Sequence, residues 1–296
     1  MNRRKSRRPR TGRTRTGMKA YMLRRLPTRA RDGRRLMTAS WIAYWYFSAL
    51  TVLPWTRPLP VRRRLQITTI GLTVCAAILW TAWNVRTEIR YSAPLALILI
   101  GYYLSGLFFT RPTERFESWL LAWDRRLLGD PTTRFAHWPR PWLAFLDIIY
   151  MGCFLLVPAG VVALVVSGHE TLIDRYWTMV TGAELGAFLP LAIVQARPPW
   201  AIEREPALAD RAIHRAASRF VRELTIGANT FPSGHAAGSL AVAFAILGAL
   251  PIVGLVFLAL ALCICLACVV GRYHFVMDVV AGVGLALAIW IVVSLV

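Results

Sequence analysis

Three short stretches carry residue types that can do chemistry. Residues 230–238 read TFPSGHAAG, residues 271–282 read GRYHFVMDVVAG, and residues 195–199 read QARPP. His274 and Asp278 are four apart, so on a helix they share one face a turn apart. A carboxylate placed there accepts the imidazole N–H, fixes the tautomer and raises the basicity of the other nitrogen. His235 opens an apolar helix, where backbone N–H groups are free. Ser233-Gly234 before it lets the chain approach an anion closely. Arg197 and Arg272 add planar forks that match phosphate oxygens. Two histidines, one carboxylate and two arginines suit phosphoryl transfer. One histidine attacks phosphorus and the other protonates the departing oxygen, while positioning and charge neutralisation supply most of the catalysis.

These residues are distant in sequence, so helices must bring them to one place. The chain has 296 residues, is 56% hydrophobic and carries a net charge of +20. Its mean hydropathy is +0.49. Oily runs alternate with charged ends, and eight runs approach the roughly 20 residues that a bilayer requires. They cover 38–56, 66–85, 93–110, 142–167, 172–195, 233–250, 252–270 and 276–296. The sixth and seventh meet at Leu250-Pro251, where proline suits a tight break between helices. So much apolar surface excludes an ordinary soluble protein. The expected fold is an all-α polytopic membrane bundle of about eight spans. Counting spans places Arg197, His235 and His274 at one membrane face.

Residues 1–35 hold fifteen Lys/Arg and one acid, Asp32. Such a segment cannot bury enough apolar surface to fold alone. It is expected to be a disordered cytoplasmic tail that touches anionic lipid headgroups. It has no aromatic interleaving that would suit nucleic acid. The N-terminal spans follow over 36–110. In 111–141, Phe116, Trp119, Leu120, Trp123, Leu127 and Leu128 recur at helical spacing with charges between, and Gly129 ends the run. This pattern predicts an amphipathic helix lying in the interface, with Trp at headgroup depth. Residues 142–296 then form the catalytic transmembrane part. All five cysteines lie in apolar runs without metal-ligand spacing, so neither a disulfide framework nor a metal site is expected, and no cofactor. Asp147 and Glu184 sit inside spans and read as packing or pairing residues; Asp147 can meet a loop arginine. Glu184 is thirteen residues before Arg197, roughly 20 Å deeper on a continuous helix, and reaches the chemistry only if the helix breaks at Pro190.

The motifs resemble the PAP2 superfamily of lipid phosphatases and phosphotransferases. Pro232–His235 matches its P-S-G-H motif, and His274 with Asp278 matches its H-x-x-x-D. The resemblance implies that His274 forms a phosphohistidine, Asp278 orients it and His235 protonates the leaving group, with no metal. Arg197, Arg272, Ser233 and Gly234 are the expected phosphate-binding residues; Arg197-Pro198 and Ser233-Gly234 fall within the family's motifs, whereas Arg272 is read from its chemistry alone. Two positions depart from the pattern. Pro190 stands where the first motif has Lys, and Cys268 stands where the third has Arg. The stretch RYHFVMDVVAG and the segment 116–150 are similar to the inositol phosphorylceramide and sphingomyelin synthase branch. Two enzymatic outcomes stay open, hydrolysis of a lipid phosphate or transfer of a phospho-headgroup to an alcohol. A non-catalytic lipid-binding protein is the third, and the intact His/Asp/His set argues against it.

Even spans put both termini on one side and the active site on the other. The terminal side carries eighteen Lys/Arg and the active-site side seventeen. The fifteen basic residues before the first span are nearly unopposed, which resists translocation. Both termini are therefore expected in the cytoplasm of a cell-membrane protein, with the active site on the outer face. A cysteine introduced at Ala207, in a background lacking the native cysteines, should react with an impermeant maleimide in intact cells. Labelling only after lysis, with a cysteine in 1–35 labelled from outside, would invert this orientation.

Overall fold

A computed structural model describes residues 37–84, 87–203 and 212–295. The tail expected over 1–35 lies outside the described residues. Helix dominates, as expected of an all-α protein. In chain order, α1 spans Thr38–Val52, α2 Val61–Asn84 and α3 Thr87–Gly106. Then come α4 (Glu114–Leu128), α5 (Pro131–Ala136), α6 (Arg140–Val166) and α7 (Ile173–Phe188). A short turn of helix, α8 (Pro199–Ile202), precedes α9 (Ala212–Leu224). The last three are α10 (Gly234–Ala249), α11 (Pro251–Val270) and α12 (Val276–Leu295).

Among the described residues, four helices are long and apolar enough to cross a membrane, within α2, α6, α11 and α12. Two shorter apolar helices lie at Tyr91–Gly106 and Gly234–Ala249. The run expected over 172–195 is interrupted. Helix α7 ends at Phe188, and a tighter turn at Leu189–Ala192, with Pro190 near its start, takes over. Pro251 sits at the first position of α11, where its missing N–H costs nothing, and makes α10 and α11 a hairpin.

Helix α10 is the centre, packed against α6, α7, α11 and α12. Its inward residues are small: Ala236, Ala237, Gly238, Ala241 and Ala243 are all buried. Small residues let helix backbones approach closely, and in a membrane that packing must replace the hydrophobic drive between helices. Gly282 of α12 is one such contact. A Cβ there would stand 2.8 Å from the Ser233 carbonyl oxygen and 3.0 Å from the Ala236 Cβ.

Helix α4 has acids in its first turn (Glu114, Glu117) and arginines in its last (Arg125, Arg126), matching its dipole. Gly129 closes it at φ 73°, and Asp130 caps α5 through the Thr132 N–H at 3.1 Å. The helix also turns a second face to the protein, which the interfacial reading left unassigned. Its buried stripe is Glu117, Leu120 and Asp124, while Trp119 and Leu127 are exposed. The reason is electrostatic, because both inward acids have arginine partners, Asp124 the buried Arg272 and Glu117 the partly exposed Arg197. Asp124 Oδ2 accepts from Arg272 Nη1 at 2.7 Å, and Asp124 Oδ1 accepts the Val276 N–H at 2.8 Å.

Asp124→Ala removes one carboxylate from the buried Arg272 and frees the Val276 N–H. Breaking a buried pair of this kind costs about 3 kcal/mol. The melting temperature in detergent should fall by roughly 5–10 °C, whereas Glu114→Ala, on the exposed face, should change it little. Equal melting of the two variants would remove Asp124 from the anchor.

Candidate active site

The site forms where three loops meet at one end of the bundle. Ser233 caps α10, its hydroxyl oxygen accepting the Ala236 N–H at 3.4 Å. The Ser233 N–H donates to the Asp278 carbonyl oxygen at 2.9 Å, tying the start of α10 to the first turn of α12. After α11 the chain turns tightly. The Tyr273 and His274 N–H groups both donate to the Cys268 carbonyl oxygen, at 3.0 and 2.9 Å. Arg272 sits in the left-handed region, φ 56°, a strained choice for a residue with a Cβ. The third loop runs beside the second motif, because the Asn229 N–H donates to the Ala196 carbonyl oxygen at 2.9 Å.

These contacts bring the two histidines together. His274 Nε2 lies 3.4 Å from His235 Nδ1. On its other edge, His274 Nδ1 lies 3.4 Å from Asp278 Oδ2, which also accepts the Phe275 N–H at 2.8 Å. Asp278 has no exposed surface and His274 almost none, while His235 is half-buried and faces a cavity. The orientation of His235 is fixed by rings. Tyr150 stacks on it at 5.0 Å between centroids, and Tyr273 stacks on the far side of Tyr150 at 3.9 Å. Phe154 meets its edge at 5.6 Å.

The cavity measures about 240 Å³. Its polar end carries both histidines with Asn229, Thr230, Ser239 and Glu184. Its walls are apolar: Leu95, Ile98 and Leu99 of α3, Phe154 and Val157 of α6, and Val221 and Leu224 of α9.

The arginines sit elsewhere. Arg197 gives its N–H, Nε and Nη2 to Glu117 at 3.1, 3.1 and 2.7 Å, and its side chain is 45% exposed. These hydrogen bonds hold the Glu117 carboxyl below the usual carboxylate range. Arg272 is fully buried. Besides Asp124 it binds Glu203, with Nη2 at 2.6 Å and Nε at 3.1 Å from Oε2. Neither arginine lines the cavity. Ser233 and Gly234 are buried at the start of α10, next to His235.

Several residues of the site are invisible to motif reading. Asp147 pairs with a loop histidine where a loop arginine was expected. It lies 3.1 Å from His214 Nδ1 and accepts the Tyr273 hydroxyl at 3.3 Å. Glu184 reaches the cavity because α7 stops short of Pro190, the one circumstance under which the sequence lets it approach. Its carboxyl presses on α10, where a Cβ on Gly238 would stand only 1.9 Å from Oε1. The signals for it were an acid inside an apolar run and a proline six residues later.

Gly238→Ala therefore forces the Glu184 carboxyl aside. Overpacking of this kind costs about 1–3 kcal/mol. Thermal unfolding of Gly238→Ala, Glu184→Ala and the double variant should show the glycine substitution to be milder once the carboxyl is gone. Simple additivity would reject the contact.

Among curated proteins and solved structures none matches the chain. A family model does match, that of the PAP2 superfamily, over residues 118–292, a stretch that holds Arg197, His235, His274 and Asp278. That stretch is more than half of the chain, and with the paired histidines and the carboxylate behind them it identifies the protein as a member of the PAP2 superfamily, whose activities are those of phosphatases and phosphotransferases on phosphoesters.

Proposed function

We propose that the protein is a membrane-embedded lipid phosphatase working through a phosphohistidine. The carrying observation is His274 set between a carboxylate and a second imidazole, at the end of a cavity with apolar walls. Asp278 takes the Nδ1–H of His274, which leaves the Nε2 lone pair free to attack phosphorus. The P–O bond to the lipid breaks as the new N–P bond forms. His235 gives a proton to the departing lipid oxygen. Water then attacks the phosphohistidine, passes a proton back to His235, and releases inorganic phosphate and free His274.

Gly234, at the start of α10, offers its backbone N–H to the phosphate, while Ser233, its own N–H bound to the Asp278 carbonyl oxygen, shapes the turn that presents it. Arg197, at the partly exposed rim, reaches a phosphate oxygen by giving up Glu117. Arg272 would have to release a carboxylate to do the same, so in this reading its contribution is the placement of the loop that carries His274. The RYHFVMDV stretch favours a second reading, in which an alcohol replaces water in the second step and the product is a new phosphoester. In both readings about eight spans cross the cell membrane, α4 lies in the interface with its tryptophans outward, the basic tail meets anionic lipid in the cytoplasm, and the site opens on the outer face.

His274→Ala should reduce turnover of a lipid-phosphate panel to below about 1% of wild type, since loss of a nucleophile costs several orders of magnitude, while melting stays near wild type. His235→Ala should lose more on alkyl than on aryl phosphates, because a good leaving group needs less protonation. Free phosphate scored against transferred product in the same assay separates hydrolysis from transfer. Retained activity in His274→Ala would reject the nucleophile, and equal losses on both ester types would reject the acid.

A further inference from the structure

Glu184 has no part in the steps above, yet the fold is arranged around it. Its carboxyl faces the first turns of α10, with Oε1 against Gly238 and Oε2 against Gly234. Cβ atoms at those two glycines would stand 1.9 and 3.1 Å from the oxygens. The side chain lines the same cavity as His235 and His274. Among the described residues no hydrogen bond or ion pair reaches its carboxyl. Ser239, the nearest hydroxyl on α10, is already committed to the His235 carbonyl oxygen at 2.6 Å. An acid kept inside an apolar bundle without a protein partner marks a functional site. The histidines handle the phosphate, so the Glu184 carboxyl is left for another group of the substrate. A carboxyl oxygen here calls for a hydrogen-bond donor, and the apolar walls call for hydrocarbon next to that donor.

We propose that Glu184 is a substrate-binding residue that accepts a hydrogen bond from a hydroxyl on the lipid backbone, beside the phosphate that the histidines handle. The inference rests on the lipid phosphoester reading for its substrate, and it assigns the site a requirement that a bare alkyl phosphate does not meet. A site built to bond a hydroxyl discriminates strongly against an analogue lacking it, because the buried acceptor is then left unpaired.

The test compares the purified full chain with Glu184→Gln and Glu184→Ala in detergent. The substrates are oleoyl lysophosphatidate, which has a free backbone hydroxyl, and its deoxy analogue. Wild type should prefer the hydroxyl-bearing lipid by about tenfold or more in kcat/KM. The preference should shrink in Glu184→Gln, which keeps an acceptor but loses its charge, and vanish in Glu184→Ala. A preference unchanged in Glu184→Ala, or equal losses on both substrates, would overturn the proposal and leave Glu184 a structural residue. A second arm needs no turnover. Monooleoylglycerol, which has hydroxyls and no phosphate, should raise the melting temperature of wild type more than that of Glu184→Ala, whereas methyl oleate should treat the two alike. Glu184-dependent protection without turnover of either phosphate would sink the phosphatase reading and keep this one. Protection by stearylamine exceeding that by monooleoylglycerol would replace the hydroxyl with an ammonium group and overturn the assignment.

Discussion

Arg272 is a full positive charge without exposed surface, and the active end of the bundle is organised by its neutralisation. Removing a guanidinium from water is expensive unless each of its faces finds a carboxylate. Asp124 comes from α4 and Glu203 from the segment after α8, so two pieces of chain far apart in sequence close on one residue. The Arg272 carbonyl oxygen takes the Trp200 N–H at 3.2 Å, and the second oxygen of Asp124 takes the first free N–H of α12. The strained φ of Arg272 is held by this surrounding set. Two residues further on stands His274, whose position is thus fixed from outside the helices by ion pairs and from inside by Asp278.

The aromatic layer does for His235 what charge does for His274. Tyr150 lies between the His235 imidazole and Tyr273, and the Tyr273 hydroxyl is tied to Asp147. Asp147 in turn holds His214 of α9, and the same helix supplies Val221 and Leu224 to the cavity wall. One network therefore joins the ring orientation of a proposed acid to the apolar wall of the cavity. Arg222 of α9, 4.9 Å over the Trp200 ring, links that wall to the loop bound by Arg272.

What could be read from the sequence is what depends on near neighbours. The four-residue spacing of His274 and Asp278, the helix start around His235, the break at Pro251 and the stop at Gly129 are local, so residue type and order suffice. Partners across the fold were not legible. The amphipathic spacing of α4 pointed to its tryptophans, whereas Glu117 and Asp124 turn inward to arginines 80 and 148 residues away. Nothing in a single sequence says which acid meets which base, since like candidates are many and the choice is made by packing. Glu184 shows the same limit. Its place beside α10 depends on where α7 ends and on two glycines in another helix.

The spacing of the two imidazoles rests on a helix crossing. Gly282 leaves no room for a Cβ against the Ser233 carbonyl and Ala236, so α10 and α12 cross closely there, and each helix carries one histidine at or just before its first turn. Contacts between uncharged atoms are untouched by screening, unlike pairs that salt weakens. The gap between the imidazoles is to that extent mechanical. Salt outside leaves the crossing as it is and barely reaches the buried ion pairs of Arg272, so ionic conditions act on what approaches the site more than on the spacing within it.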